Sequence, residues 1–311
     1  MIRSLPCPDD FCSDPLVSAL RRKAEELGFV AIGFSRPGRL SHFDRFTEWL
    51  SKGHHAGMAW MERNTDLRED PSGLLSRCRS IITLAYPYRS GRPATPDGFF
   101  VSRHSEPALE DYHRRLKRLC FGLVRMIQSF HSTAVNRVFV DSAPVLERSI
   151  AFASGIGFIG KNTMLIIPGL GSYFCLSEIF TTAPIDAPSV TPMASECASC
   201  SLCLEACPGG AIEEGSLLNA SKCLSYWTIE SRDTVGPLGR QIGPCFFGCD
   251  RCQEACPHNK SKATSEVLLP STEEFLAMRD EEFLERFGWT SLSRAGLEKI
   301  KSNIQAARKG P

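Results

Sequence analysis

The sequence lacks any apolar run that approaches the roughly 20 residues needed to cross a lipid bilayer. Residues 1–15 contain neither the apolar core of a signal peptide nor a twin-arginine signal. Outside the paired cysteine motifs, internal repeats and low-complexity tracts are also missing. We therefore expect a cytoplasmic protein that does not associate with a membrane.

The sequence also has almost no excess of either charge. Its 36 lysines and arginines oppose 35 acidic residues, which leaves a net charge of +1. A nucleic-acid partner would have to be held by local basic patches, because no global field is present to attract it. With 311 residues, 42% hydrophobic and 23% charged, the chain has room for one large domain and a smaller one.

Helical and strand-like patterns alternate in the first part of the chain, which predicts a layered α/β (α+β) domain. The predicted helices cover 15–27, 41–53, 107–129 and 144–154, and the strands cover 29–34, 80–88, 135–141, 163–167 and 172–181. Four prolines in 183–192 indicate a linker. We expect a catalytic domain over 1–185, a cysteine-rich module over 186–262 and a short helical C-terminal segment over 263–311.

Cysteine, in contrast, is abundant. Nine of the 14 cysteines fall within 60 residues, and in a reducing compartment such density favours metal ligation over disulfides. Five scattered cysteines have no second ligand at a suitable spacing, and we expect ordinary thiols there. These are Cys7, Cys12, Cys78, Cys120 and Cys175.

Two cysteine motifs predict a pair of four-iron clusters. Residues 197–208 have the spacing C-x2-C-x2-C-x3-C-P, whose fourth cysteine reaches the other cluster in two-cluster ferredoxins. A shorter motif over 248–257 supplies three more cysteines, so an eighth ligand must come from Cys223 or Cys245. The first predicted ligand set is Cys197, Cys200, Cys203 and Cys256, and the second is Cys207, Cys249, Cys252 and one of those two candidates. Zinc is the alternative, but the double motif and the cysteine count favour iron.

Two further features are ambiguous by position alone. Gly155, Gly157 and Gly160 have dinucleotide-loop spacing, but a predicted helix precedes them and a strand follows, the reverse of a Rossmann context. They predict either a close backbone approach or a simple helix-to-strand turn. Asp141 follows a predicted strand, where it could cap the next helix or belong to a functional site.

Several motifs in combination resemble the epoxyqueuosine reductase family, whose cobalamin-dependent members complete queuosine in tRNA. The motifs are VDSAPVLERSIA (140–151), GIGFIGKNTMLI (155–166), GSYFCLSEIFT (171–181), the cysteine module, and KCLSYWTIE (222–230). GHHAGMAWMERN (53–64) and the DYH of 111–113 are also similar to early motifs of that family. The resemblance extends over residues 14–290, most of the chain.

This resemblance implies a nitroreductase-like cobalamin-binding domain, followed by a ferredoxin-like module with two 4Fe-4S clusters. It implies that Cys223 is the eighth ligand, that Cys245 is spare, and that Asp141 is the proton donor. Under a corrin, a desolvated Asp141 would have a raised pKa and act as a general acid. The implied cobalamin contacts are Gly57, Met58, Trp60, Asp141, Gly157, Gly160, Lys161, Ser172 and Tyr173. Met58 and Trp60 could instead be plain core.

The implied substrate is the wobble nucleoside of a tRNA anticodon loop, since loop bases can be splayed into a pocket. Candidate phosphate contacts, or else solvated helix faces, are residues 113–118, Lys299, Lys301, Arg308 and Lys309. We expect a monomer supplied by an external electron donor. Two alternatives are a cobalamin and iron–sulfur reductase of a small molecule, such as a dehalogenase, and a ferredoxin-type electron carrier. The long segment before the clusters argues against a mere carrier.

Overall fold

The computed structural model describes residues 14–88, 91–233, 239, 241–259 and 268–309. Cys7 and Cys12, which the sequence predicts to be ordinary thiols, lie outside the described residues. Cys78, Cys120 and Cys175 are free thiols, as expected. No helix in the described part of the chain is long and apolar enough to span a membrane.

The helices and strands alternate as the sequence predicts. The α-helices are α1 (Pro15–Glu26), α2 (Phe43–Ser51), α3 (Thr65–Glu69), α4 (Tyr112–Phe130), α5 (Glu147–Ala153), α6 (Leu202–Glu205), α7 (Arg251–Glu254), α8 (Thr272–Ala277), α9 (Asp280–Phe287) and α10 (Leu297–Arg308). The strands are β1 (Ala31–Ser35), β2 (Ser80–Pro87), β3 (Phe100–Val101), β4 (Asn136–Phe139), β5 (Phe158–Ile159), β6 (Leu165–Ile166), β7 (Phe174–Thr181), β8 (Ile212–Glu213), β9 (Leu217–Leu218) and β10 (Cys245–Phe247).

A four-stranded antiparallel sheet in the order β1-β2-β7-β4 forms the centre of the N-terminal part. Helices α1 and α4 cover one face, where Leu20 and Leu123 pack with Ile179 of β7. Helix α5 covers the other face, where Ile150 packs with Phe180 of β7. Because each face has its own helical layer, β7 is buried along almost its whole length. The predicted α+β arrangement is confirmed.

Two helices begin later than the sequence predicts. Helix α4 starts at Tyr112 rather than near residue 107, because the Asp111 carboxylate caps it by accepting the His113 backbone N–H at 2.9 Å. Helix α5 starts at Glu147 and not at Pro144. Pro144 instead belongs to a loop that begins at Asp141, where the backbone adopts a left-handed φ of +48°.

The C-terminal segment is helical, as predicted, and packs against the cysteine-rich module. Phe246 of β10 is buried against Phe275 of α8 and Ile300 of α10. The buried Asn303 side chain of α10 donates to the carbonyls of Thr228 and Phe246 at 2.8 and 3.0 Å. Strand β3 also pairs in parallel with β10. These contacts cross the boundaries at 185 and 262, and the three-part division stays a prediction.

The glycine motif lies where α5 gives way to the antiparallel β5–β6 hairpin, so the Rossmann context is reversed as the sequence predicts. A Cβ on Gly157 would lie 2.4 Å from the Ile166 carbonyl oxygen. A Cβ on Gly160 would lie 2.5 Å from the Ile166 side chain. The spacing therefore reflects close packing of the hairpin on itself.

We predict that Gly157→Ala destabilises the fold by about 1–3 kcal/mol, because the added methyl group overlaps a backbone atom that cannot rotate away. Gly239→Ala is the matched control, since a Cβ there would meet none of the described residues within 4 Å. Thermal and denaturant unfolding of the two variants measures the difference. Equal stability of both variants and the wild type would contradict the packing argument.

Candidate functional site

A cavity of about 1380 Å³ opens between the α2 region, the loop after β4, and the C-terminal helix α10. Apolar groups, including Met58, Trp60 and Ile159, form part of its wall. Its charged lining comprises Arg45, Arg63, Arg68, Arg148, Arg232, Arg294, Lys299, Asp141, Glu147, Glu230, Asp233 and Glu298. The volume exceeds the roughly 300–1,000 Å³ of ordinary small-molecule pockets, so the cavity suits an unusually large ligand or two ligands together.

Asp141 presents its carboxyl group to this cavity, with 57% of the side chain exposed. The Tyr112 hydroxyl donates to Asp141 Oδ2 at 2.6 Å, and His113 Nε2 lies 3.6 Å from the same oxygen. Both partners come from the start of α4. Helix α5 begins after Leu146 without a side-chain cap, so the alternative that Asp141 caps this helix is wrong.

The protonation state of Asp141 differs from the expectation. The crowded cavity wall raises the pKa of Asp141 by desolvation, but the hydrogen bonds with His113 and Tyr112 outweigh this and hold it below its ordinary value. The predicted raised pKa is therefore wrong for this arrangement. The lowered pKa of Asp141 is caused by the two donors that face its carboxylate.

His113 and Tyr112 hold the protons around Asp141. Burial disfavours the charged imidazole, but hydrogen bonds with Asp111 and Asp141 raise the pKa of His113 to about 9. Burial and the Asp141 charge raise the pKa of Tyr112 above its ordinary value. At neutral pH, a cationic imidazole and a neutral phenol thus flank an ionised carboxylate. The DYH motif signalled these residues in the sequence, but sequence reasoning gave Tyr112 no role and placed His113 only in the candidate phosphate-binding face of residues 113–118.

Glu147 is a second acidic group that sequence reasoning did not identify as part of the site. It lines the cavity, and its Oε1 accepts the backbone N–H of Asp141 at 2.5 Å. This bond ties the Asp141 loop to the first residue of α5. The carboxyl group of Glu178 on β7 interacts with that of Glu147 from the side of the sheet.

Besides Asp141, three predicted cobalamin contacts lie at or beside the cavity. Met58 and Trp60 line its wall, and Trp60 is 38% exposed, so the alternative that both are plain core is wrong. The Gly57 N–H donates to the Tyr226 hydroxyl at 2.9 Å, and a Cβ on Gly57 would lie 2.7 Å from that oxygen. Glycine is needed there because the hydroxyl approaches the backbone so closely.

The other predicted cobalamin contacts lie outside the cavity wall. Lys161 Nζ donates to the carbonyls of Ala198 and Cys200 at 2.7 and 2.9 Å, within the first cysteine motif. The Ser172 hydroxyl donates to Gln253 Oε1 at 3.0 Å, within the second motif. Tyr173 lies beneath the Arg103 guanidinium. Lys161 and Ser172 thus join the sheet domain to the cysteine module, while Gly157 and Gly160 pack within the β5–β6 hairpin. The contact of all these residues with cobalamin stays a prediction.

The cysteines of the first predicted ligand set surround a small cavity of about 40 Å³. They are Cys197, Cys200, Cys203 and Cys256. Three come from the first motif, and Cys256 comes from the second, in the exchange that the spacing predicts. Lys161 and His258 also line this cavity.

The cysteines of the second predicted set also lie near one another. Cys207 lies close enough to raise the pKa of Cys223 and of Cys252 electrostatically. Cys223 raises the pKa of Cys249 in the same way. Cys245 is oriented differently: its thiol donates to the Gly248 carbonyl at 3.4 Å and to that of Phe247 at 3.6 Å. The geometry therefore favours Cys223 over Cys245 as the eighth ligand.

Both quartets fit a cationic cluster. Burial, opposed in part by a backbone hydrogen bond and reinforced by the nearby Cys223, raises the pKa of Cys249 to about 11. Burial and three neighbouring cysteines likewise raise the pKa of Cys252. Four adjacent thiolates would repel one another, and bound iron would remove that repulsion. Within the described ranges, no three His, Cys, Asp or Glu side chains are close enough to hold a single metal ion.

The candidate phosphate contacts are largely engaged within the protein. Arg115 forms a buried ion pair with Glu106, and Arg118 pairs with Glu110 at 2.7 Å. At the C-terminus, Lys299 donates to the Asp233 carbonyl, Lys301 lies 3.7 Å from Glu298, and Arg308 lies 3.3 Å from Glu273. Arg115 is unavailable to a phosphate, because it is buried against Glu106.

Comparison with known proteins explains why the cavity and the cysteine quartets occur together. Residues 68–142 match the model of an epoxyqueuosine reductase domain, and residues 196–259 match a 4Fe-4S double cluster binding domain. Epoxyqueuosine reductase of Pseudomonas aeruginosa is 35% identical over 93% of this chain and 84% of its own length. The chain belongs to the epoxyqueuosine reductase family.

Solved structures of the family agree with this assignment. The structure of epoxyqueuosine reductase from Streptococcus thermophilus superposes with a TM-score of 0.84 at 25% identity, over 94% of this chain and 80% of that one. A crystal structure of epoxyqueuosine reductase with a tRNA-Tyr epoxyqueuosine-modified tRNA stem loop has a TM-score of 0.82 at 30% identity, with the same coverage. The double-cluster match favours iron–sulfur clusters over the zinc alternative.

We predict that Cys223→Ala lowers the iron content of the reconstituted protein by about half, because one cluster loses a thiolate ligand. Cys245→Ala is the matched control and should retain full iron, since its thiol is engaged with backbone carbonyls. Iron and sulfide analysis with electron paramagnetic resonance of the reduced proteins measures both. Loss of a cluster in Cys245→Ala alone would reverse the ligand assignment.

Proposed function

We propose that this protein reduces the epoxide of epoxyqueuosine at the wobble position of tRNA and so forms queuosine. The observation that carries the proposal is the large cavity with Asp141, Tyr112 and His113 at its wall, in a chain that also has two cysteine quartets. Removal of an epoxide oxygen as water takes two electrons and two protons. The cysteine module would deliver the electrons, and side chains of the cavity wall would supply the protons.

Cobalamin fits the cavity by size and by the mixture of apolar and polar groups in its wall. Met58 and Trp60 would contact the corrin, with Gly57 behind them, and Asp141 would face the reacting atoms. Cobalamin bound there would act as a strong reductant toward the epoxide carbon. The two 4Fe-4S clusters would pass electrons inward singly from an external donor protein.

The chain's own side chains would manage the departing oxygen. Asp141 is the general acid in this proposal: its carboxylate, ionised at rest, takes a proton from the His113 imidazolium 3.6 Å away and passes it to the departing oxygen. The Tyr112 hydroxyl donates a hydrogen bond to the same carboxylate. The left-handed backbone at Asp141 turns its side chain into the cavity. The Asp141 N–H bond to Glu147 holds that loop in place.

A tRNA anticodon loop is the proposed macromolecular substrate. Bases in single-stranded loops can be unstacked and inserted into a pocket, which the open cavity permits. Cationic side chains at the cavity, among them Arg45, Arg63 and Arg232, could meet the phosphates that flank the inserted base. Family membership favours this substrate over the small-molecule alternative, and a large cavity outside the cysteine module disfavours a simple electron carrier. A monomeric state and a cytoplasmic location are part of the proposal.

We predict that Asp141→Ala lowers the rate of queuosine formation by about 100-fold or more, because the departing oxygen loses its proton donor. The assay is anaerobic reconstitution with iron, sulfide and cobalamin, followed by nucleoside analysis of tRNA that carries the epoxide. Asp280→Asn, an exposed change on α9, is the matched control and should leave the rate unchanged. Full activity of Asp141→Ala would refute its role, and absent conversion by the fully loaded wild type would refute the function.

A further inference from the structure

Two acids next to Asp141, the half-buried Glu147 and the fully buried Glu178, have no role in the reaction described so far. Glu178 lies in the middle of β7 and is 0% exposed. Glu147, at the first turn of α5, is half-buried and lines the cavity. Their carboxyl groups interact with each other and with that of Asp141. Three acidic groups thus form a row from the sheet to the cavity.

Glu178 has an environment that cannot support a negative charge. Among the described residues, no N–H or hydroxyl group donates to either of its carboxyl oxygens. The residue opposite it on β2 is Thr83, whose buried hydroxyl has no hydrogen-bond partner in the part of the chain that the structure describes. An ionised carboxylate without a donor or a cation is strongly disfavoured in a protein interior, so Glu178 keeps its proton.

We propose that Glu147 and Glu178 form a carboxyl pair that stores the second proton of the reaction and passes it to Asp141. The reaction consumes two protons for each epoxide oxygen released as water. The His113 imidazolium holds one proton on the α4 side of Asp141, and the carboxyl pair holds another on the α5 side. After transfer, the pair takes up a proton from water in the cavity, which Glu147 lines.

The electrostatic surroundings support this assignment. Burial, reinforced by the Asp141 charge, raises the pKa of Glu147 to about 8, and burial together with Glu147 raises that of Glu178 well above its ordinary value. The charged and titratable groups that face the pair come from several elements. They are Asp141 in the loop after β4, Arg148 on α5, Tyr112 and Cys120 on α4, and Cys175 on β7. The Asp141 backbone N–H, the hydrogen bond with Glu178 and the Arg148 charge oppose the rise at Glu147 without cancelling it. The Arg148 guanidinium itself donates to the Thr163 carbonyl.

The first experiment measures the stored proton without any turnover. Glu178 binds a proton in the folded protein that the unfolded chain releases above about pH 4.5, so wild-type stability falls as pH rises from there toward the raised pKa. One such proton changes the unfolding equilibrium about tenfold per pH unit. Glu178→Gln removes this dependence. As pH rises from 5 to 8, the melting temperature of the variant should therefore increase relative to that of the wild type.

Glu26→Gln is the matched control for stability, because Glu26 is exposed on α1 and pairs with Lys23 at 2.9 Å. Its pH dependence should follow that of the wild type. If the melting temperature of Glu178→Gln has the same pH dependence as that of the wild type across this range, the proposal of a stored proton is overturned.

The second experiment tests delivery of the proton and rests on the proposed function. Glu147→Gln keeps an oxygen that can accept the Asp141 N–H but cannot carry the proton. Its turnover should fall about tenfold with an unchanged KM for tRNA, and the loss should grow toward alkaline pH. Glu147→Gln turnover equal to that of the wild type at every pH would overturn delivery. If the wild type itself converts no tRNA, the function fails while the stability experiment still decides the stored proton.

Discussion

The pairing of β7 with β2 over eight residues and with β4 over four is the constraint on which the site depends. This double pairing holds β7 at the centre of the sheet, where seven of its eight residues are buried. Glu178 therefore lies behind the cavity with no route to solvent of its own. Ser172, just before the strand, is held against the second cysteine motif by Gln253 and Asn259.

The charge arrangement around Asp141 follows from that framework. Helix α4 brings the Tyr112 hydroxyl and the His113 imidazole to one side of the carboxylate, while α5 and β7 bring two further acids to the other. Donors on one side lower the pKa of Asp141, and burial with mutual repulsion raises those of Glu147 and Glu178. Opposite shifts within one row of acids are what a proton-transfer site requires.

Sequence reasoning succeeded where the chemistry is carried by local spacing. The two cysteine motifs predict the exchange of Cys256, because the spacing of ferredoxin loops leaves little freedom to each turn. It was less successful for the glycines, since Gly157 and Gly160 serve a hairpin that contacts Ile166. A glycine pattern records only that something approaches the backbone closely, and it does not identify the approaching group.

The sequence by itself determined the alternation of helices and strands, the cysteine groupings and the family, because periodicity and motif spacing are properties of short segments. Only the tertiary structure decided the sign of the Asp141 pKa shift and the partnership of Glu147 with Glu178. Those depend on which groups meet across α4, α5 and β7, which are far apart in the chain. An electrostatic shift is set by distances in space and by burial, and neither can be read from residue order.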